Sequence, residues 1–311
     1  MLNHNRPMLD AHNCYPYDGQ YADRIDRALT SSSPASIEQD LAWGIDKKTG
    51  KGQVILSHTT KDLKGTEPTL RGATTFSSMC ARWWKRRCAR TNPPPGRWWF
   101  FISTLKTTGR SWHRAVWELL GEYEGWLTTA PKMADPHTLA PFDVKPVLVL
   151  TEDNDAQEAV FFTSLPVGAS FASLVRRTRR SCPRARTREE RAHLAATAAP
   201  ELMLTEKPTN YRRWWNNSWA EVEEGGQARA GDWTAADMAR LKALVDHAHK
   251  LGFWIRFYTL DGFTAEENHG WDQGYNFGTH DAAVIRWKAA YAAGVNLIRP
   301  TNSKTCPRLS T

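Results

Sequence analysis

Two acidic residues stand two positions apart inside an otherwise apolar run that extends from Ala35 to Trp43. A run of this length predicts a strand, and successive side chains of a strand point to opposite faces. Glu38 and Asp40 therefore share one face, while Ile37 and Leu41 share the other. Two like charges on one face are costly to bury without a cation or hydrogen-bond donors between them. Because a hard metal ion relieves that repulsion, the pair points to a metal site.

Two histidines follow short apolar segments in the same part of the chain. His12 lies within a strand predicted at 8–13, and His58 ends a short extended segment at 53–58. If these strands are parallel neighbours of the acidic strand, both imidazoles lie close to the acids. Imidazoles titrate near neutral pH, so one is suited to act as a general base and the other as a general acid. Each histidine taken singly is better explained as a hydrogen-bonded structural residue, and the catalytic interpretation depends on the combination with the acid pair.

The order of these motifs resembles that of the phosphoinositide-specific phospholipase C and glycerophosphodiesterase superfamily. In those enzymes the first strand ends in His-Asn, the second carries Glu-x-Asp, and the next segment brings a second histidine. The matching residues here are His12-Asn13, Glu38-x-Asp40 and His58. The resemblance implies that His12 and His58 are the general base and acid, and that Asn13, Glu38 and Asp40 bind Ca²⁺ or Mg²⁺.

The resemblance also implies an α/β fold of the TIM (β/α)8-barrel type. It touches both ends of the chain, roughly 8–71 and 234–298, because the helix, Gly, strand and helix of the second range resemble the last two βα units of such barrels. We expect one barrel domain over 1–311, irregular or incomplete at strands three, five and eight.

The family's further acidic ligand is missing after the predicted third strand, Trp98 to Ile102. Glu152 and Asp153 follow a predicted strand at 146–151 and are either site residues or an ordinary acidic loop end.

The net charge of +8 is confined to three acid-free segments, 72–112, 167–187 and 299–311. Without their seventeen basic residues the chain has 24 basic and 33 acidic residues, so the remainder is acidic. These segments are rich in Arg, Trp, Ser, Cys and Pro and lack a helix or strand period. We hypothesise that they are translated out of frame; a genuine basic insertion is the alternative.

The expected partner is a phosphodiester small molecule or a phospholipid headgroup, with peripheral membrane contact at most. The Arg-Trp clusters at 82–87 and 97–99 invite a nucleic-acid interpretation, but no nucleic-acid fold motif accompanies them, so we expect no nucleic acid. No apolar run reaches the ~18 residues of a membrane span. Met1 to Leu9 lacks an apolar stretch long enough for a signal peptide, and secretion would require a signal upstream.

Two other functions remain open from the sequence. The first is an inactive barrel, damaged by the basic segments. The second is a glycoside hydrolase on the same fold, although one strand places Glu38 and Asp40 too close together for the separation of about 5 Å or more that a sugar ring needs.

Three segments leave their structural role undecided. The aromatic stretch from Tyr211 to Trp219 lines either a substrate mouth or the packing under a long loop. Trp254 and Tyr258 lie on a predicted strand, and their side chains face either the pore of the expected barrel or its helices. A further strand is predicted from Glu201 to Thr205.

Overall fold

The fold is taken from a computed structural model, which describes residues 7–12, 14, 23–24, 27–28, 35–45, 50, 52–57, 99–105, 109–176, 186–258, 260–264 and 273–298. The strands that the structure describes are numbered along the chain. They are β1 (Met8–Ala11), β2 (Ala35–Ile45), β3 (Gly52–Leu56), β4 (Trp99–Leu105), β5 (Ala130–Pro131), β6 (Val147–Thr151), β7 (Ser170–Phe171), β8 (Ser173–Arg176), β9 (Arg212–Ser218), β10 (Trp254–Tyr258) and β11 (Leu297–Ile298).

The described helices lie between these strands. They are α1 (Arg110–Glu122), α2 (Asp155–Glu158), α3 (Arg188–Thr197), α4 (Pro200–Met203), α5 (Ala235–Leu251) and α6 (His280–Ala293). A π-helical turn, Ala159–Thr163, extends α2, and short 3₁₀ turns occur at Glu124–Trp126, Trp219–Glu221, Gln227–Arg229 and Gln273–Tyr275. No helix in the described part of the chain is long and apolar enough to span a membrane.

The chain divides into two compact units, which are described separately. The terminal unit comprises Met1–His12 and Arg176–Thr311, and the central unit comprises Asn13–Val175. Both have an α/β character, which confirms that part of the predicted fold class. Closure into a TIM barrel and the boundaries of a single domain stay predictions.

The terminal unit contains a parallel sheet in the order β1, β11, β10, β9. Side chains on one face form a hydrophobic core with the long helices: Trp215, Ile255, Phe257 and Ile298 pack with Leu241, Leu244, Val245, Ala248, Trp287 and Ala290. Residues that pair across parallel strands point to the same face of the sheet. The face opposite the core therefore contains pairs of residues from β9 and β10, and some of these residues are polar. The pairs Arg256 with Asn216 and Trp254 with Trp214 lie on that face.

The ends of α5 are set by the residues that the sequence offers there. Thr234 and Asp237 form a reciprocal capping box at the start, as their spacing predicts. Gly252, with φ of 94°, ends the helix in the left-handed conformation that favours glycine. The helix is thereby confined to the residues that pack on the sheet.

The central unit contains a sheet in the order β8, β6, β4, β2, β3. The first four strands are parallel, whereas β3 pairs antiparallel with β2. β2 pairs with β4 only as far as Leu41, and its remaining residues pair with β3 as a projecting hairpin. Trp43 of this hairpin packs edge-on against Trp112 of α1, with ring centroids 6.0 Å apart.

Several sequence predictions are corrected by the structure. The expected strand from Glu201 to Thr205 is wrong: helix α4 begins with Pro200 at a position where proline is favoured, and it ends at Met203. The aperiodic segment 167–187 contains β8, and the aromatic stretch from Tyr211 to Trp219 contains β9. The third strand exists as predicted but extends to Leu105.

Candidate active site

The acid pair lies in the middle of β2 and is buried. Glu38 is 3% exposed and Asp40 is 1% exposed, and the alternate residues Ile37 and Leu41 are buried on the other face. The carboxylates therefore have little access to bulk water, and burial of two like charges is favourable only where cations or donors compensate.

The hairpin returns the chain to the second acid. The backbone N–H of Ser57, the residue after β3, donates to the carbonyl oxygen of Asp40 at 3.1 Å. The condition that the strand before the second histidine runs parallel to the acidic strand is not met, since β3 is a neighbour of β2 but runs antiparallel to it. His58 is the next residue in the sequence and lies outside the described residues.

The segment after the first strand is bonded to the same part of β2. The backbone N–H of Cys14 donates to the carbonyl oxygen of Glu38 at 3.0 Å, and Gln39 Nε2 donates to the carbonyl oxygen of Cys14 at 2.5 Å. The predicted ligand Asn13 precedes Cys14 and lies outside the described residues. Both motif segments are thus bonded, through neighbours of the predicted site residues, to the strand that carries the acids.

His12 belongs to the terminal unit, where it follows β1 and is 7% exposed. It stands two residues after Asp10 and directly after the last residue of the strand, Ala11. Because the acid pair belongs to the central unit, the meeting of His12 with Glu38 and Asp40 stays a prediction.

A buried ion pair of the terminal sheet was missed from the sequence. Asp10 and Arg256 are both within 1% of complete burial, and Arg256 Nε donates to Asp10 Oδ2 at 2.7 Å. Arg256 also contacts Asn216 on β9. An arginine in the otherwise apolar strand from Phe253 to Leu260 was the available signal, but a partner 246 positions away was not readable.

One more acid follows the neighbouring part of the sheet. Glu38 pairs with Ile102 of β4 and Ile102 with Leu150 of β6, and Glu152 comes directly after β6 ends at Thr151. Among the described residues, however, no group of three or more His, Cys, Asp or Glu is arranged to hold a metal ion. The predicted ligand set of Asn13, Glu38 and Asp40 includes one residue, Asn13, that lies outside the described residues.

The aromatic residues left undecided by the sequence are now placed. Trp215 and Trp219 belong to the hydrophobic core, where Trp219 Nε1 donates to Glu223 Oε2 at 2.5 Å. Trp214, Trp254 and Tyr258 lie on the opposite face of the sheet, with Arg256. The aromatic stretch therefore contributes some residues to the hydrophobic core and others to the opposite, polar face of the sheet.

Comparisons with known proteins give fold-level likeness only. No family model and no curated protein sequence matches the chain. It is similar to a glycerophosphodiester phosphodiesterase from Parabacteroides distasonis, with 10% identity over 98% of this chain and 96% of that chain, and a TM-score of 0.46. It is also similar to HPPK-DHPS from Plasmodium falciparum, with 9% identity and a TM-score of 0.44, and it spans 50% of that chain.

Proposed function

We propose that the chain is a metal-dependent phosphoric diester hydrolase of the phospholipase C-like and glycerophosphodiesterase-like superfamily, on a TIM-type barrel. One observation carries the proposal: Cys14 and Ser57, the neighbours of Asn13 and His58, donate their backbone N–H groups to the backbone carbonyl oxygens of Glu38 and Asp40. The motif order His-Asn, Glu-x-Asp and His thus coincides with backbone bonds to the acidic strand.

The acid pair fits a hard divalent cation. Glu38 and Asp40 offer carboxylate oxygens on one buried face, which is the ligand type that Ca²⁺ and Mg²⁺ prefer. Asn13 would add a neutral amide oxygen. When bound, the cation supplies charge neutralisation to the phosphoryl oxygens and lowers the pKa of a coordinated hydroxyl.

The two histidines carry the protons. His12 accepts the proton of the nucleophile, which is a substrate hydroxyl or water, and His58 donates a proton to the leaving alkoxide. The O–P bond to the leaving group breaks as the bond to the nucleophile forms, so each imidazole is needed in a different protonation state. The substrate class is a phosphodiester small molecule or a phospholipid headgroup.

The test is turnover of an aryl phosphodiester by the full chain with added Ca²⁺ or Mg²⁺ and with EDTA. We expect metal-dependent hydrolysis that falls at least about a hundredfold in His12→Ala and in His58→Ala, since each removes a general acid or base. The exposed His193→Ala is the matched control and keeps wild-type activity. Undiminished turnover in either site variant contradicts the assignment.

The same assay separates the other functions. A glycoside hydrolase turns over aryl glycosides and is indifferent to EDTA, because its carboxylates act without a metal. An inactive barrel binds no divalent ion and turns over none of these substrates.

A further inference from the structure

Helix α1 of the central unit begins without a side-chain cap. Its N-cap residue is Gly109, which has no side chain to accept a hydrogen bond. The first intrahelical bond runs from the N–H of His113 to the carbonyl oxygen of Gly109, at 3.2 Å. The three N–H groups before it, those of residues 110–112, therefore point out of the helix end. Together with the positive end of the helix dipole, such groups favour an anion.

Two buried side chains of this first turn, residues 110–113, each carry a nitrogen atom without a partner. Trp112 is 2% exposed, and His113 is completely buried. The indole Nε1–H of Trp112 and the Nε2 atom of His113 have no hydrogen-bond partner in the described part of the chain. Because buried polar atoms are normally hydrogen-bonded, two exceptions on neighbouring residues indicate a ligand that supplies the missing bonds.

Both rings lie toward the start of the helix. Side chains of a helix lean toward its N-terminus. His113 shows this directly, since its Nδ1 donates to the carbonyl oxygen of Gly109 at 2.8 Å and the imidazole therefore lies beside the N-cap. The ring centroids of Trp112 and His113 are 6.4 Å apart. One small ligand at the helix end can therefore contact both rings.

The first turn lies at the same end of the central sheet as the second acid of β2. Asp40 pairs with Thr104, the residue before the last one of β4, and only four residues separate β4 from α1. Trp43, three residues after Asp40, is the residue that packs against Trp112. Ligands of α/β sheets bind at this carboxyl end of the strands. All of these residues belong to the central unit.

The hydrogen-bonding groups of the first turn match a phosphomonoester. The indole N–H and the backbone N–H groups are donors, so the ligand must bring several acceptor oxygens. His113 donates from Nδ1, and burial lowers its pKa below the ordinary 6.5, so at neutral pH its Nε2 is an acceptor. The ligand must therefore also bring one O–H group. A phosphomonoester keeps an O–H near its second pKa of about 6, whereas sulfate and phosphodiesters carry no such proton.

We infer that the first turn of α1 binds a phosphomonoester, whose oxygen atoms accept from the Trp112 indole and the backbone N–H groups and whose O–H donates to His113 Nε2. The inference does not depend on the proposed hydrolysis. A phosphomonoester is nevertheless the kind of product that hydrolysis of a phosphodiester releases, so the site would also hold that product.

The test is calorimetric titration of inorganic phosphate and of sulfate into the full chain near neutral pH. EDTA is present, so that no metal contributes to binding. We expect phosphate to bind at least about tenfold more tightly than sulfate, because only phosphate has an O–H for His113 Nε2. Equal affinities would indicate only nonspecific binding of anions and would overturn the inference.

Two variants test the two rings separately. Trp112→Phe removes the indole N–H and keeps an aromatic ring, and we expect its Kd for phosphate to rise about tenfold or more. His113→Phe removes the acceptor and should abolish the preference for phosphate over sulfate. Trp117→Phe is the matched control, because it alters a tryptophan of the same helix outside the first turn, and its Kd stays at the wild-type value. An unchanged Kd in Trp112→Phe overturns the inference.

A further measurement uses the wild-type chain and does not depend on the stability of a variant. Crystals grown with inorganic phosphate should place a phosphate oxygen within hydrogen-bond distance of Trp112 Nε1; phosphate bound elsewhere, or not bound, overturns the inference. Turnover of an aryl phosphodiester is measured in parallel. Turnover without phosphate at Trp112 refutes this inference alone, whereas phosphate at Trp112 without any turnover supports the site and refutes the hydrolase function.

Discussion

At the scale of single residues, the account depends on the two carboxylates of β2. Replacing Asp40 by Asn removes one of two like charges that are buried on one face. Because Asn has nearly the same size as Asp, the change acts on the charge and not on the packing. Turnover in Ca²⁺ should fall at least about a hundredfold, because a metal ligand is lost.

The matched control for this change is Asp246→Asn, an exposed acid on α5 that pairs with Lys242. It should alter the unfolding free energy by less than about 0.5 kcal/mol and leave turnover unchanged. Chemical denaturation in EDTA, together with the aryl phosphodiester assay, measures both quantities. Full activity in Asp40→Asn would rule out the acid as a ligand.

Residue patterns predicted the strand that carries the acid pair, and β2 confirms it, whereas they gave no sign of the ion pair between Asp10 and Arg256. The alternation of apolar and acidic residues over 35–43 predicted that Ile37 and Leu41 share one face. Both side chains are buried in the structure. The bond between Asp10 and Arg256 joins residues at opposite ends of the chain, so no local period or spacing reports it.

At the scale of elements, the hairpin of β2 and β3 returns the chain to Asp40 at Ser57, the residue that precedes His58 in the sequence. A Cβ added at Gly52 would overlap the indole ring of Trp43. Gly52→Ala should therefore displace that ring, cost roughly 1–3 kcal/mol of unfolding free energy and lower turnover. Gly121→Ala is the control, since a Cβ there meets open space on helix α1 and should keep or raise stability. Wild-type stability in Gly52→Ala would refute the packing described for the hairpin.

Helix α1 contains a titratable group whose effect on stability has a definite sign. Burial lowers the pKa of His113 below its ordinary 6.5, and its hydrogen bond with the carbonyl oxygen of Gly109 opposes that shift. The unfolded chain therefore takes up the proton first as the pH falls. The stabilising contribution is complete above about pH 6.5 and is lost as the pH falls through the pKa of the folded state.

The measurement is the unfolding midpoint in denaturant at pH values on both sides of that range. The wild-type chain should lose stability below about pH 6.5, and His113→Phe, which cannot titrate, should lose less. A pH dependence that is the same in both proteins would show that His113 does not contribute.

The direction of β3 was readable from the sequence but was not inferred. Six residues separate Ile45 from Gly52, whereas a parallel neighbour needs a connection of about a dozen residues or more. The short connection therefore requires an antiparallel return. Helix α4 was misread as a strand because a four-residue element has too few residues for a period to decide.

At the scale of the whole molecule, the basic segments of the sequence do not coincide with the absence of regular secondary structure. Two of the basic, aperiodic segments contain strands, β4 and β8, that pair in register with β6 of the central unit. Hydrophobic periodicity failed over β8 because its successive residues Ser173, Leu174 and Val175 are all buried, so there is no alternation to detect. The fold class was predictable from both ends of the chain, whereas the middle depended on pairings between distant strands.

The central claim is that Glu38 and Asp40 hold a cation beside both imidazoles. Mn²⁺ is a paramagnetic ion that takes the same oxygen ligands as Mg²⁺ and broadens the NMR signals of nearby nuclei. In the histidine-labelled chain, added Mn²⁺ is predicted to broaden the ring signals of His12 and His58, and Asp40→Asn should abolish this effect. Sharp signals for either imidazole at saturating Mn²⁺, or broadening that survives in Asp40→Asn, would contradict the account.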